Sequence, residues 1–306
     1  MDPPVPGIDV GVRQRLIARF GSEVDVWFDE LPGVLATLSR RWRFELGSAI
    51  PRGSVSAVFH CRRTNGQNAV LKISPDRARL AGEAAVLGLC NTVHSPAVIA
   101  YDEPLGALLI EAIEPGTPLA ESTTYPAVGT TAELLHSLHA PVVGDHSFPP
   151  VDQRVRYLFE SSSKLYERQP ELATSIPPEL YERTYRLAIR LARADPSNVL
   201  LHGDLTPSNI LDGGSERGLV AIDPAPCLGD AGFDAVDLVL WQADDRATIE
   251  ARTNSLARAV SLDEERLVGW CVAFAAMTAL ELATQRGGPP ARVAALRELA
   301  AQAPAS

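Results

Sequence analysis

The chain has four cysteines in 306 residues, Cys61, Cys90, Cys227 and Cys271, and no two of them form a C-x-x-C pair. That scatter excludes a zinc ribbon or a disulfide framework, so the four thiols are expected as reduced core residues. Basic charge is also in short supply: 28 Lys and Arg stand against 38 Asp and Glu, a formal net charge of -10. Nucleic acid and anionic membrane are thereby disfavoured as partners, because their phosphates attract basic surfaces. A cationic small molecule suits the balance better. Residues 1–7 carry neither a basic n-region nor an apolar h-region, so no secretory signal is read there and a cytoplasmic location is expected. The most apolar helical stretch, residues 271–280, is shorter than the ~20 residues that span a bilayer and runs into Glu281. Neither G-x-G-x-x-G nor G-x-x-x-x-G-K-[ST] occurs, which removes the Rossmann and Walker phosphate loops.

What is present is a hydrophobic content of 46%, enough for sizeable cores, in a chain longer than a usual single domain. The informative stretch is HGDLTPSNIL, residues 202–211, read with Asp223 of AIDP. His202, Asp204 and Asn209 fit H-x-D-x-x-x-x-N, in which a kinase-type loop offers an acid to the attacking hydroxyl and an amide to magnesium. The apolar run Val199–Leu201 delivers His202 from a strand end. Ile210 and Leu211 open a second strand, Gly213, Gly214 and Gly218 turn it, and residues 219–222 return to set Asp223 beside Asn209. A carboxylate and an amide oxygen there suit one hard cation. A lone Asp or Asn is more often a turn residue; a histidine, two aspartates and an asparagine at these intervals point to phosphoryl transfer.

Upstream, apolar residues at helical spacing mark two packing helices, Val10–Phe20 and Val24–Trp42, the second interrupted at Leu31-Pro32-Gly33. From Phe44 the pattern turns to strands: Val55, Ala57, Phe59 and Cys61 alternate, Asn65-Gly66 turns, and Ala69, Leu71 and Ile73 resume. Lys72 therefore projects from the opposite face, either snorkelling or binding an anion. In the kinase pattern such a lysine meets the nucleotide's phosphates and a helix glutamate. Glu83 is the candidate partner, because Leu80, Glu83, Ala84 and Leu87 share one helical stripe; the alternative is a wet margin of a broader stripe. Residues 47–54, GSAIPRGS, stand where a nucleotide-covering loop belongs, with the amides around Gly53 and Ser54 as phosphate donors or as an ordinary turn. Asp230 reads as a helix N-cap. Asp237, Asp244, Asp245 and Glu281 form either a solvated surface or an acidic wall for a guanidinium or ammonium group.

HGDLTPSNIL followed by IDPAPCLGDAGFDAVDL resembles the aminoglycoside phosphotransferase superfamily, in particular its streptomycin 6-kinase and hydroxyurea phosphotransferase branch. The opening LPG and RRW elements, AVLKIS, LLIEAIEPGTPL and the final helical region recur in the same order, so the resemblance spans nearly the whole chain. Thr206 departs from it where a second histidine is common, and Ala225 where the branch commonly carries a charge. The resemblance implies an α+β, bilobal protein-kinase-like fold, with a small antiparallel-sheet lobe and a larger, mainly helical lobe. Residues 1–113 would be the nucleotide-binding lobe and 114–306 the catalytic and acceptor-binding lobe, with a hinge near 111–118. It implies Asp204, His202 and Asp234 as the catalytic set, Asp234 bonding the backbone of the catalytic loop. Lys72, Glu83, Gly53, Ser54, Glu111, Ala112 and Ile113 would serve the nucleotide, and Asn209 and Asp223 would serve Mg2+. His136 and His139 resemble histidines that pack behind the site. ATP and Mg2+ are the expected cofactors, and a streptomycin-like cationic hydroxyl compound is the expected acceptor, with hydroxyurea or another metabolite as the alternative. A protein kinase is disfavoured because Asp223 runs almost directly into GDAGFD, without an A-P-E anchor. A nucleotide-binding module without activity is the third reading.

Overall fold

The structure is a computed structural model that describes residues 8, 10–51, 55–90, 92–139, 148–194, 199–285 and 289–305. The chain divides into two compact units, Met1–Gly116 and Thr117–Ser306.

The first unit runs α1 (Val10–Phe20), α2 (Val24–Trp42), β1 (Phe44–Ile50), β2 (Ala57–Arg63), β3 (Asn68–Ile73), α3 (Arg77–Cys90), β4 (Val98–Asp102) and β5 (Ala107–Glu111). Its strands form one antiparallel sheet in the order β1-β2-β3-β5-β4. Period-two alternation gives the sheet two apolar faces. Phe59, Ala69, Leu71, Ile73 and Leu109 pack on Leu31, Leu35 and Leu38 of α2, while Val70, Leu108 and Ile110 pack on Leu80 and Leu87 of α3. Two expectations change here. Gly47 lies inside β1, at an irregularity between Leu46 and Ala49, so the connection to β2 is shorter than residues 47–54. Gly53 and Ser54 lie outside the described residues. The Pro32 break is also absent: α2 is one 19-residue helix with Pro32 inside it. Phe28, Leu31, Leu35 and Leu38 are buried on one stripe that runs past the proline, and this packing outweighs the missing backbone hydrogen bond.

The second unit carries α4 (Val128–Leu138), α5 (Val151–Arg168), the single turn α6 (Leu172–Ser175), α7 (Pro178–Ala194), β6 (Val199–Leu201), β7 (Ile210–Asp212), the short α8 (Gly214–Arg217), β8 (Leu219–Ala221), β9 (Cys227–Gly229), α9 (Gly232–Leu240), α10 (Arg246–Ala259), α11 (Glu264–Ala283) and α12 (Pro290–Ala300). The apolar stretch read at residues 271–280 is the second half of α11, which has 20 residues. By length and composition α11 could cross a membrane, yet 61% of its most apolar window is buried inside the unit. There it is the central helix. Its alanines 273, 275, 276 and 279 let neighbours approach, and Phe274 meets Phe159 and Phe233 at ring-centroid distances of 5.4 and 5.5 Å. Cys61, Cys227 and Cys271 are buried and Cys90 is half-buried; all four are free thiols.

Because Pro32 is exposed on an otherwise continuous helix, Pro32→Ala should stabilise the first unit by about 1–3 kcal/mol. The urea midpoint of the helical circular-dichroism signal measures it.

Candidate active site

Two small antiparallel ladders in the second unit carry the candidate loop. β6 pairs with β9 through Val199↔Gly229 and Leu201↔Cys227, and β7 pairs with β8 through Ile210↔Ala221. Residues 202–209 span from one ladder to the other. The return strand is fastened beyond its end by Ile222 N–H donating to Asn209 O at 2.8 Å, which leaves Asp223 the next residue along. Asp223 has φ 59, a left-handed conformation that Asp tolerates better than most residues. Ala225 N–H donates to His202 O at 2.8 Å, so the segment after Asp223 lies against the catalytic loop. Gly203 permits this approach: its φ is 75, and a Cβ there would stand 2.0 Å from Ala225 O.

Asp234, in the first turn of α9, organises the loop from beneath. Its Oδ2 accepts from His202 N–H at 2.7 Å and its Oδ1 from Gly203 N–H at 2.9 Å. His139 Nε2 lies 3.0 Å from Oδ2. Burial pushes this carboxyl upward, but the hydrogen bond and charge of His139, the charge of His202 and the Gly203 amide outweigh it and hold it below its ordinary value. His202 is buried as well, and burial holds its imidazole below its ordinary value against the pull of Asp234, Asp204 and Asp223. Its Nδ1 accepts from Asp204 N–H at 3.3 Å, which puts the ring proton on Nε2. The structure buries His202 in the loop's interior, outside the lining of the cavity described below.

Asp204 is held from two sides. Arg154 of α5 donates through Nη2 to Oδ1 at 2.6 Å and through Nε to Gly203 O at 2.7 Å. Asn209 Nδ2 donates to Asp204 O at 2.9 Å and to Oδ2 at 3.2 Å. Turning its amide nitrogen to Asp204 leaves the Asn209 amide oxygen as the group that faces away. An amide oxygen and the Asp223 carboxylate, carried on adjoining backbone, are hard oxygen donors of the kind that Mg2+ prefers. No group of three or more His, Cys, Asp and Glu that could hold a metal ion occurs among the described residues.

A cavity of about 260 Å³ opens beside Asp204. Phe233, Phe274 and Met277 supply apolar wall, and Asp234 and Asp237 of α9 and Glu281 of α11 add three further carboxyl groups. Burial, then the charges of Asp204, Glu281 and Asp234, push the Asp237 carboxyl up to about 7, with Arg154 opposing. Glu281 is exposed as a residue yet lines the cavity, and its carboxyl is raised too, first by desolvation, with a Ser162 hydrogen bond opposing and Asp204 adding. Of the four acids read as a wall, Asp244 and Asp245 are elsewhere: both are exposed, and Asp245 caps α10 by accepting from Thr248 N–H at 2.7 Å. Asp230 is not the N-cap of α9, a position held by Ala231. It accepts from Gly232 N–H at 2.8 Å and from Trp270 Nε1 at 2.5 Å and pairs with Arg266, which fastens the start of α9 to α11.

In the first unit the structure brings Lys72 and Glu83 together as a buried ion pair. Lys72 sits between Val58 and Leu108 on the α3 face of the sheet. Glu111 Oε2 accepts from Ala97 N–H at 3.2 Å, and Ala112 and Ile113 continue past the end of β5, half-buried. Two functional residues escaped the sequence reading. Arg154 follows Val151 by three positions and precedes Leu158 by four, at the margin of a buried stripe, where a charge demands a partner as Glu83 does. His139 was read as packing only. His136, its neighbour one turn back, is exposed.

These elements define a protein-kinase-like phosphotransferase fold. The choline kinase LicA from Streptococcus pneumoniae superposes with a TM-score of 0.58 at 15% identity, covering 89% of this chain and 99% of that one. A thermostable mutant of aminoglycoside phosphotransferase APH(4)-Ia, in a ternary complex with ADP and hygromycin B, gives 0.56 at 15% identity, covering 86% and 97%. In sequence, the streptomycin 6-kinase of Streptomyces griseus is 29% identical over 281 residues, 86% of each chain. The hydroxyurea phosphotransferase of Kitasatospora aureofaciens is 30% identical over 262 residues, 82% of this chain and 73% of that one. The profile of the aminoglycoside/hydroxyurea antibiotic resistance kinases matches residues 41–285, and the chain belongs to that family. It is a phosphotransferase that acts on the hydroxyl group of a small molecule.

The Asp237 carboxyl lies above its unfolded value, so the fold keeps a proton that the unfolded chain gives up. The resulting loss of stability grows as pH rises from about 4 to about 7 and is constant above that. Asp237→Asn should therefore raise the melting temperature at pH 8 by the equivalent of ~1–3 kcal/mol and leave it nearly unchanged at pH 4. Thermal melts across that range measure it.

Proposed function

We propose that the protein transfers the γ-phosphoryl group of ATP, with Mg2+, to a hydroxyl of a cationic, streptomycin-type aminoglycoside. The observation that carries this reading is the cavity in which Asp204, Asp237 and Glu281 stand among apolar side chains. Asp204 is a carboxylate whose two oxygens are each fixed by one donor and keep lone pairs for an incoming hydroxyl proton. Proton acceptance as the acceptor oxygen attacks phosphorus is the role of such a group in phosphoryl transfer. Asp237 and Glu281, whose raised carboxyls a neighbouring cation would draw into their charged forms, face the acceptor's guanidinium or ammonium groups, and the aromatic walls offer apolar surface to its ring.

Lys72, held by Glu83, is the residue for the nucleotide's phosphate oxygens, and Glu111, Ala112 and Ile113 are the segment for its base. Asn209 and Asp223 would hold Mg2+, whose charge when bound neutralises the phosphate oxygens. Asp234, with His139 behind it, keeps the loop in shape through the His202 and Gly203 amides. Hydroxyurea is the second reading, favoured by the relative that acts on it being 30% identical.

Incubation with ATP, Mg2+ and either streptomycin or hydroxyurea, followed by mass spectrometry, decides between the two: the substrate gains one phosphoryl group. Asp204→Ala should lower turnover by about 100- to 10,000-fold; near-normal turnover would remove Asp204 from its role. Asp223→Ala should abolish the magnesium-dependent part of ATP binding in a calorimetric titration and leave a folded protein. Glu281→Gln should raise KM for streptomycin about tenfold, with little change in KM for ATP.

A further inference from the structure

Arg154 belongs to none of the sequence motifs, yet its guanidinium is the group most closely tied to Asp204. Resting on the reading of a phosphotransferase with a cationic acceptor, we infer that Arg154 is a positioning residue that holds Asp204 for a neutral hydroxyl and cancels its pull on the acceptor's cation. Its side chain is 10% exposed and bridges backbone and side chain of the catalytic loop, through Nε to Gly203 O and Nη2 to Asp204 Oδ1. The planar fork sets both bonds at once. Asn209 holds the other oxygen at 3.2 Å, so the carboxylate cannot turn without losing a partner. The Tyr157 ring, 5.3 Å from the guanidinium carbon, steadies the arginine in turn.

The second consequence concerns where the cavity is negative. Arg154 is paired with Asp204, whereas it acts on Asp237 only through its longer-range charge. Among the described residues the cavity carboxyls outside an ion pair lie on the α9 and α11 side, at Asp237 and Glu281, where an incoming cation would draw out their charge. An acceptor that enters with its cation toward those two helices presents a hydroxyl to Asp204. Without the guanidinium, Asp204 would compete for the cation and hold the acceptor in a non-productive orientation.

The test uses the full chain with ATP, Mg2+ and streptomycin, in wild-type, Arg154→Met and Arg154→Lys forms, each checked by thermal melt. Arg154→Met should lower kcat roughly 100-fold, the effect of misplacing a reacting group. KM for streptomycin should stay the same or fall, because non-productive binding lowers kcat and KM together. Arg154→Lys, which keeps a cation but not the fork, should recover to within about tenfold of wild type. In an Asp204→Asn background, Arg154→Met should add less than about twofold, since the arginine acts through Asp204. A kcat within about threefold of wild type, a loss confined to KM, or full additivity with Asp204→Asn would overturn the inference. Should Arg154→Met fail to fold, the Lys variant carries the same cycle, and a deficit that persists in the Asp204→Asn background overturns it. A wild-type chain that hydrolyses ATP but phosphorylates neither streptomycin nor hydroxyurea sinks the functional reading instead. The Arg154 comparison is then made on that hydrolysis, with water in place of the hydroxyl.

Discussion

Everything in the second unit's candidate site hangs on one buried carboxylate. Asp234 accepts the two backbone N–H groups of His202 and Gly203 and meets His139 on the remaining side. Buried backbone donors need partners, and a charged acceptor serves them better than a neutral one. The loop is thus drawn onto the start of α9, which is itself fastened to α11 through Asp230, Arg266 and Trp270. The candidate loop, whose residues have little regular structure of their own, borrows its rigidity from the central helix of the unit.

Above this support the charges are unevenly distributed. Asp204 is paired and held, whereas Asp237 and Glu281 face the cavity with raised carboxyl groups. Like charges kept at close quarters oppose folding, and such arrangements gather at functional sites. The acidic balance of the whole chain has the same sign as this local excess.

Much of the geometry was legible from residue patterns because the patterns carry geometric consequences. Strand alternation put Lys72 on the face opposite Leu71, and helical spacing put Glu83 on a stripe with Leu80 and Leu87; the two meet. The glycines after Leu211 announced a return strand, and the ladder brings Ile222 to Asn209. What was illegible depends on contacts distant in the chain. Pro32 reads as a breaker until Leu31, Leu35 and Leu38 are seen packed on a sheet that comes later in sequence. Arg154 lies 50 positions from Asp204, a pairing no local window can reveal. Asp244 and Asp245 look like companions of Asp237, but α9 ends between them and the cavity, and Asp245 starts the next helix.

Gly203 sets a boundary on how this site can vary. A methyl group there would be a wedge driven against the Ala225 carbonyl, displacing the segment that follows Asp223. Backbone crowding of that kind fixes the path of the loop at this one position. Side chains that α9 and α11 present to the cavity are outside that constraint, and a new residue there alters the wall without moving the backbone beneath it.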